Sequence, residues 1–196
     1  ESDEAFCDLL NHTAPGYLAK AVHERGGCMI QVSTDYVFDG TAHIPYREEE
    51  PTCPATAYGR TKLAGEEAVM RNCPESVVIR TAWLYSTFGN NFVKTTYARD
   101  LAVAIFAVLT QDFVPGIYHF SNEGAISWYD FTKAIHRIAG ITTCKVRPLH
   151  TEEYPAPAAR PHYSLLDKTK IKETYHIDIP YWEDSLTECI QKLEQN

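Results

Sequence analysis

The sequence lacks three features that would assign it to a simple functional class. Its six cysteines include no Cys-x-x-Cys pair, no apolar run is long enough to cross a membrane, and basic residues are few. Eighteen Lys and Arg against 26 Asp and Glu give a formal net charge of −8, which argues against nonspecific nucleic-acid binding. Widely spaced cysteines are typical of free thiols in a reducing cytosol. We therefore expect a cytoplasmic protein without a nucleic-acid, membrane or metal site.

A glycine-rich turn for a dinucleotide is also missing from the 196 residues. In dinucleotide-binding folds, closely spaced glycines follow an N-terminal strand and let backbone N–H groups approach the pyrophosphate. The pair Gly26-Gly27 follows a predicted helix instead of preceding one. Because the residues described next favour proton transfer to or from an oxygen beside a hydride donor, we expect this sequence to be part of a longer protein whose N-terminal segment carries that turn.

The strongest chemical pattern combines the end of a strand with the start of a helix. The apolar run 28–32 predicts a buried strand that places Ser33 and Thr34 at its carboxyl end, where open α/β sheets bind ligands. Tyr58 and Lys62 lie four residues apart at the start of a predicted helix and share one face. Tyr-x-x-x-Lys also occurs by chance on solvated helix faces, but its order after a strand-end Ser-Thr pair favours proton transfer to or from an oxygen.

The electrostatic consequence of this spacing is a prediction about Tyr58. An unperturbed tyrosine has a pKa near ~10, and a fixed cation a few ångströms away favours the phenolate. We therefore expect the ammonium of Lys62 to lower the pKa of the Tyr58 phenol.

Hydrophobic periodicity predicts alternating helices and strands. Helices are expected over 11–25, 58–73, 98–109, 127–139, 167–173 and 182–195, and strands over 28–33, 76–81 and 116–120. Such alternation is typical of an α/β protein with a parallel sheet. On the helix over 58–73 we expect Glu66 to face solvent, and we expect the acidic run 48–50 to lie in a solvated loop.

Several separated segments of the sequence resemble those of the extended short-chain dehydrogenase/reductases, and within that family most closely those of the dTDP-4-dehydrorhamnose reductases. The segments are STDYVFDG, IPYREEEPTCPATAYGRTKLAGE, IRTAWLY, GNNFVKT and RPHYSLLDKTKI. They occur in the same order over nearly the whole chain, so the resemblance is specific. It implies a Rossmann-like doubly wound parallel sheet with a smaller C-terminal α/β substrate domain.

The resemblance also implies domain boundaries and a break in the sequence. Residues 1–112 correspond to part of the dinucleotide-binding domain, and residues 113–196 mainly to the substrate-binding domain. In the family, a strand and a loop separate the word GNNFVKT from the helix that begins TYARDLA, whereas here the two are adjacent. We therefore expect an internal gap near residues 95 and 96, and an intact mass equal to that of the 196 residues would contradict this.

The activity implied by the resemblance is NADPH-dependent reduction of the C4 keto group of dTDP-4-dehydro-L-rhamnose to dTDP-L-rhamnose. This reaction belongs to nucleotide-sugar biosynthesis for cell-surface polysaccharide. NADP is the implied cofactor, with NAD as the alternative; Mg at a subunit contact, as in some relatives, is not predicted from this sequence. The expected partner is a small-molecule nucleotide sugar, and a homodimer is left open.

The resemblance further implies a role for individual residues. The catalytic residues are Thr34, which orients the carbonyl, Tyr58, which donates the proton, and Lys62, which holds the cofactor ribose. The implied cofactor-binding residues are Val32, Ser33, Tyr58, Lys62 and Asn11. The implied substrate-binding residues are Thr34, Asp35, Trp83, Asn91 and Arg160.

Four of these residues have a structural alternative. Asn11 either bends its helix and holds a water in a relay to the lysine, or caps the helix N-terminus. Trp83 either packs on the sugar or base of the substrate, or belongs to the core. Asn91 either donates to a phosphate or ribose, or is an N-cap; Arg160 either clamps a pyrophosphate with its guanidinium fork, or lies on the surface.

Three other functions compete with this reductase. Sugar-nucleotide 4,6-dehydratases carry two acids directly after the strand-end threonine, whereas Thr34 is followed by Asp35 and then Tyr36, which favours reduction over elimination. Another NDP-sugar short-chain dehydrogenase is a second alternative. A non-catalytic regulatory subunit of the methionine adenosyltransferase type shares the same fold and is the third.

Overall fold

A three-stranded parallel sheet organises the chain. The computed structural model describes residues 3–87, 96–150, 153 and 161–195. Strands β1 (Ile30–Thr34), β2 (Val77–Thr81) and β5 (Gly116–Phe120) lie in the order β1-β2-β5, all parallel. A second parallel pair joins β3 (Leu84–Tyr85) to β4 (Thr96–Tyr97). The carboxyl ends of β1, β2 and β5 therefore meet at one edge of the main sheet, as the α/β prediction requires.

Seven α-helices accompany these strands in the described residues. They are α1 (Glu4–Asp8), α2 (Ala14–His23), α3 (Ala57–Asn72), α4 (Ala98–Thr110), α5 (Trp128–Ile138), α6 (Thr169–Tyr175) and α7 (Trp182–Glu194). Their bounds lie close to the predicted ones, except that the first helix begins seven residues earlier than expected.

Helices cover both faces of the sheet because side chains alternate along each strand. Val77 and Ile79 of β2 point into a core that includes Leu101 of α4 and Ile171 of α6. Arg80, which lies between successive inward positions, points to the opposite face and reaches α3. The predicted doubly wound α/β arrangement is therefore confirmed for this part of the chain.

The C-terminal third packs partly on the main sheet and partly on itself. Tyr175 of α6 belongs to the core of the main sheet, and β5 is one of its three strands although it follows residue 112. A separate apolar cluster joins β3, β4, α5 and α7 through Tyr85, Tyr97, Phe131 and Trp182. The division after residue 112 stays a prediction, and the main sheet draws strands from both sides of it.

A buried ion pair connects α3 to β2 and corrects the expected orientation of Glu66. Arg80 and Glu66 are both 2 % exposed, and the Arg80 guanidinium donates to both Glu66 carboxylate oxygens at 2.7 to 3.1 Å. The prediction that Glu66 faces solvent is wrong, because its charge is matched by an arginine on a different element. The same guanidinium lies 5.2 Å from the centroid of the Phe38 ring.

The acidic run 48–50 also differs from the expected solvated loop. The Glu48 carboxylate accepts a hydrogen bond from the backbone N–H of His119 at 3.0 Å, and the Glu48 carbonyl accepts from Arg80 at 3.4 Å. Burial and the neighbouring Arg80 charge lower the pKa of His119 to about 3, so this imidazole stays neutral. The loop is therefore fastened to β2 and β5 through Glu48.

In the described residues, the helices pack against a sheet. None of the helices in residues 3–87, 96–150 and 161–195 combines the length and apolar character needed to span a bilayer. The expected cytoplasmic location stays a prediction.

Candidate active site

Two threonine caps place the end of β1 against the first turn of α3. Thr34 ends β1 and accepts a hydrogen bond from the backbone N–H of Tyr36 at 3.3 Å, which starts a 3-10 turn over Asp35–Val37. Thr56 caps α3 by accepting from the N–H of Gly59 at 3.0 Å. A Cβ at Gly59 would lie 2.2 Å from the Tyr36 carbonyl oxygen, so only glycine allows this close contact.

This contact brings Tyr58 beside Thr34, as the sequence predicts. The side chain of Thr34 hydrogen-bonds the Tyr58 phenol, and its hydroxyl also lies 3.0 Å from Asp35 Oδ1, to which it donates. Tyr58 keeps 44 % of its surface exposed, whereas Thr34 is buried at 5 %. The phenol is therefore open to a small molecule on one side and held by the strand-end hydroxyl on the other.

The pKa of Tyr58 moves in the direction opposite to the predicted one. Burial of the phenolic oxygen raises the pKa, the Thr34 hydrogen bond lowers it, and the nearby Asp35 and Cys7 raise it further. The expectation that Lys62 lowers it is wrong for this structure, because the ammonium bonds elsewhere. A raised pKa keeps the phenol protonated at neutral pH, which is the form of an acid that donates a proton.

Lys62 is bound to the strand rather than to the phenol. Its Nζ donates to the Val32 carbonyl at 2.7 Å, and burial lowers its pKa while Glu66 acts in the opposite direction. The ammonium thus lies at the carboxyl end of β1, one helical turn after Tyr58. From that position it faces the same edge of the sheet as Ser33 and Thr34.

Val32 and Ser33 differ in what they offer a ligand. The Val32 carbonyl is already used by Lys62. Ser33 is buried at 3 % exposure, and its hydroxyl makes no hydrogen bond within the described residues. Since buried hydroxyls are nearly always satisfied, this one is a candidate for a bond to a bound molecule.

Asn11 lies in a π-helical turn over Leu9–Thr13, which joins α1 to α2 in one continuous helix. The N-cap of that helix is Asp3, so the capping alternative for Asn11 is wrong. Its side-chain amide donates to Thr61 Oγ1 at 3.1 Å and to Cys7 Sγ at 3.2 Å. Asn11 therefore binds α3 between Tyr58 and Lys62, and its predicted contact with a cofactor relay stays a prediction.

Asp35 is buried with an incompletely satisfied carboxylate. It is 3 % exposed, and its Oδ2 has no well-formed hydrogen bond. Burial raises its pKa to about 6, although Thr34, Ser164 and Trp83 stabilise the charged form. Its predicted contact with substrate stays a prediction, and its ionisation at neutral pH has a cost in stability.

That cost gives a pH-dependent prediction for Asp35→Asn. A carboxyl whose pKa is raised on folding stabilises the fold below its unfolded pKa, near 3.8, and that stability is lost as pH rises through about 6. We expect Asn to raise the free energy of unfolding by on the order of 1 to 3 kcal/mol at pH 8 and by far less near pH 4. Urea unfolding at both pH values measures it, and an equal difference at both would contradict it.

A row of aromatic rings extends from the phenol along this edge. Ring centroids are 5.8 Å apart between Tyr36 and Tyr58, 6.1 Å between Tyr36 and Trp83, and 4.1 Å between Trp83 and Trp128. Trp83 is partly buried, and its predicted contact with substrate stays a prediction. It has a φ of 51°, a left-handed conformation that is strained for a bulky residue.

Sequence reasoning missed Tyr36 and Trp128 as members of this row. Tyr36 belongs to the segment STDYVFDG, and its position two residues after the strand-end threonine could have predicted that it lies near the site. Trp128 is 38 % exposed at the first residue of α5, 45 residues after Trp83, and no local pattern relates the two. Asn91 and Arg160, the two other predicted substrate residues, lie outside the described residues.

The fold and these groups define a class of protein. A Rossmann-like parallel sheet whose carboxyl edge carries a threonine, a tyrosine and a lysine four residues later is that of the extended short-chain dehydrogenase/reductases. The chain belongs to the family described as the RmlD substrate binding domain, which matches residues 1–96 and 94–195. The predicted resemblance to the dTDP-4-dehydrorhamnose reductases is thereby confirmed.

Individual relatives agree with this assignment. A probable dTDP-4,6-dihydroxy-2-methyloxan-3-one 4-ketoreductase of Streptomyces antibioticus is 38 % identical over 98 % of this chain and 73 % of its own. A dTDP-4-dehydrorhamnose reductase of Clostridium acetobutylicum has 38 % identity and a TM-score of 0.91 over 99 % of this chain and 77 % of its own. The Bacillus anthracis reductase, solved in complex with NADP, has 32 % identity and a TM-score of 0.90, covering 98 % and 76 %.

Proposed function

We propose that the protein reduces the C4 ketone of dTDP-4-dehydro-L-rhamnose to dTDP-L-rhamnose with NADPH. The observation that carries the proposal is the placement of Thr34, Tyr58 and Lys62 together at the carboxyl end of β1, where Thr34 ends the strand and Lys62 donates to the Val32 carbonyl. Relatives named for this reaction share the whole described fold. The reaction needs a proton donor and an oriented carbonyl, and these residues supply both.

The residues of this edge fit the nicotinamide end of the cofactor. The Ser33 hydroxyl, which has no hydrogen-bond partner within the described residues, and the Lys62 ammonium would hold the ribose hydroxyls of the cofactor. The cofactor would supply the hydride, which is the difficult part of the chemistry. The part that binds its pyrophosphate is not identified within the described residues.

Residues of the protein bind the ketone oxygen and protonate it. Thr34 donates a hydrogen bond to that oxygen and orients it when its hydroxyl turns from Asp35 Oδ1 to the ketone. Tyr58 delivers the proton as negative charge develops there. The raised pKa of Tyr58 means that the proton is present at neutral pH. Lys62 stabilises the phenolate left behind if its ammonium exchanges the Val32 carbonyl for a position nearer the phenol. Trp83 and its aromatic neighbours form an apolar wall beside this space.

A turnover assay with the full-length protein tests the proposal. We expect NADPH oxidation that depends on dTDP-4-dehydro-L-rhamnose and forms dTDP-L-rhamnose. Cofactor binding without oxidation would instead support the regulatory-subunit alternative. Faster turnover of a different 4-keto dTDP-sugar would favour the reaction named for the Streptomyces antibioticus relative.

A second prediction concerns Trp83 as the wall of the substrate site. Because Trp83 is partly exposed and next to Tyr36, a nucleotide sugar that binds here should quench its fluorescence. We expect Trp83→Phe to remove most of the quenching and to raise KM by about tenfold, the value of roughly 1.4 kcal/mol of lost contact. Trp182, buried at 7 % in the α5–α7 cluster, provides the control, since Trp182→Phe should leave the quenching in place.

A further inference from the structure

Three side chains of different chemistry converge at the opposite end of the sheet from the active site. His23 is the last residue of α2, Cys73 is the C-cap of α3, and Glu75 lies just before β2. One ligand atom from each lies within 4.8 Å of the others. The active site is at the carboxyl end of β1, where Thr34 lies level with Thr81 at the end of β2, and this cluster precedes the amino end of β2. The length of one strand, roughly 16 Å, therefore separates them.

His23 and Cys73 both lie close to the same carboxylate oxygen of Glu75. His23 Nδ1 is 3.1 Å from Glu75 Oε2, and Cys73 Sγ is 3.9 Å from the same oxygen. A tetrahedral zinc with bonds of about 2.0 to 2.3 Å separates its ligand atoms by roughly 3.3 to 3.8 Å. Small side-chain rotations would therefore bring all three atoms to bonding distance from one ion.

Ordinary structural roles account for only part of this arrangement. A histidine–glutamate pair with side chains 49 % and 57 % exposed contributes little to stability. The fully buried thiol of Cys73 donates to the Gly27 carbonyl at 3.5 Å, and that bond does not account for the Glu75 carboxylate 3.9 Å from the same sulfur. A set of one thiolate, one imidazole and one carboxylate, however, binds zinc in preference to Mg²⁺ or Ca²⁺.

We propose that His23, Cys73 and Glu75 form a binding site for a divalent zinc-like cation. Three protein ligands leave a fourth position for water, and the exposed His23 and Glu75 give the ion a path from solvent. The bound ion would join the ends of α2 and α3 to the segment that enters β2. This departs from the sequence-based expectation of no metal, because His23 lies 50 residues before Cys73 and the three ligands show no spacing motif.

Cobalt titration of the metal-free full-length protein tests this site directly, because Co²⁺ bound to a thiolate has a strong near-ultraviolet absorption band. We expect a saturable band at one ion per chain that Zn²⁺ displaces. His23→Ala and Glu75→Gln should each weaken Co²⁺ binding at least tenfold. Cys73→Ser should remove the band. The two surface substitutions keep the test valid if the buried Cys73→Ser variant fails to fold.

The exposed residues Cys53 and His43 provide matched controls, since a cysteine and a histidine are lost without touching the cluster. Cys53→Ser and His43→Ala should leave the cobalt band and its affinity unchanged. Absence of a saturable band would overturn the proposal. A band that survives His23→Ala and Glu75→Gln unchanged would overturn it as well.

Discussion

Tyr58→Phe is expected to lower turnover by two or more powers of ten while the affinity for NADPH changes by less than about threefold. The substitution removes the phenolic proton that the reaction needs, but it keeps the ring and its contact with Tyr36. Steady-state turnover together with cofactor titration by fluorescence separates the chemical step from binding. Near-normal turnover would remove Tyr58 from the role of proton donor.

Tyr36→Phe is the matched control for this experiment. The centroids of the Tyr36 and Tyr58 rings are 5.8 Å apart, and Tyr36→Phe also removes a single hydroxyl. We expect turnover to fall by less than about tenfold. Thr34 hydrogen-bonds the Tyr58 phenol, and Tyr36 donates to Thr34 through its backbone N–H, which the substitution keeps. Equal losses in the two variants would indicate a general disturbance of the site.

The second large effect is expected at the buried ion pair. Glu66→Leu leaves the Arg80 guanidinium charged at 2 % exposure without its carboxylate, and we expect a loss of about 3 to 5 kcal/mol in the free energy of unfolding. Urea denaturation measures this loss. The double variant Glu66→Leu with Arg80→Met removes both charges and should recover most of the lost stability.

An exposed ion pair on the same helix gives the control. Arg60 donates to Glu4 with side chains 46 % and 53 % exposed, so Arg60→Met should cost less than about 1 kcal/mol. If Glu66→Leu costs no more than Arg60→Met, the charge at Arg80 is not isolated from solvent as the structure indicates. If the double variant is no more stable than Glu66→Leu, an unpaired charge is not the cause of the loss.

The sequence predicts the parts of the site that are local along the chain. Thr34 follows a short apolar run, and Tyr58 and Lys62 follow a proline-containing loop at four-residue spacing, so strand end and helix start can be recognised without the fold. The bounds of β5 agree exactly with the predicted 116–120, and those of α3 differ by one residue at each end. Each of these features depends on neighbours within one element.

The errors come from contacts between distant elements. Glu66 resembles a surface residue until Arg80 is placed opposite it, and Glu48 resembles part of a solvated loop until the N–H of His119 is placed beside it. The direction of the Tyr58 pKa shift depends on whether the nearby ammonium faces the phenol or the Val32 carbonyl. Helical spacing brings Lys62 to the correct face, but it does not determine which oxygen the ammonium selects.

The most direct test of the central claim follows the hydride itself. Full-length protein, dTDP-4-dehydro-L-rhamnose and NADPH with deuterium in place of both hydrogens at the nicotinamide C4 are incubated together. The product sugar is then analysed by NMR and mass spectrometry. The proposed reaction predicts one deuterium at C4 of dTDP-L-rhamnose, and formation of this product at least about a hundredfold slower in the Tyr58→Phe variant. Unlabelled product, or bound cofactor with no product at all, would contradict the proposal that this site reduces the ketone.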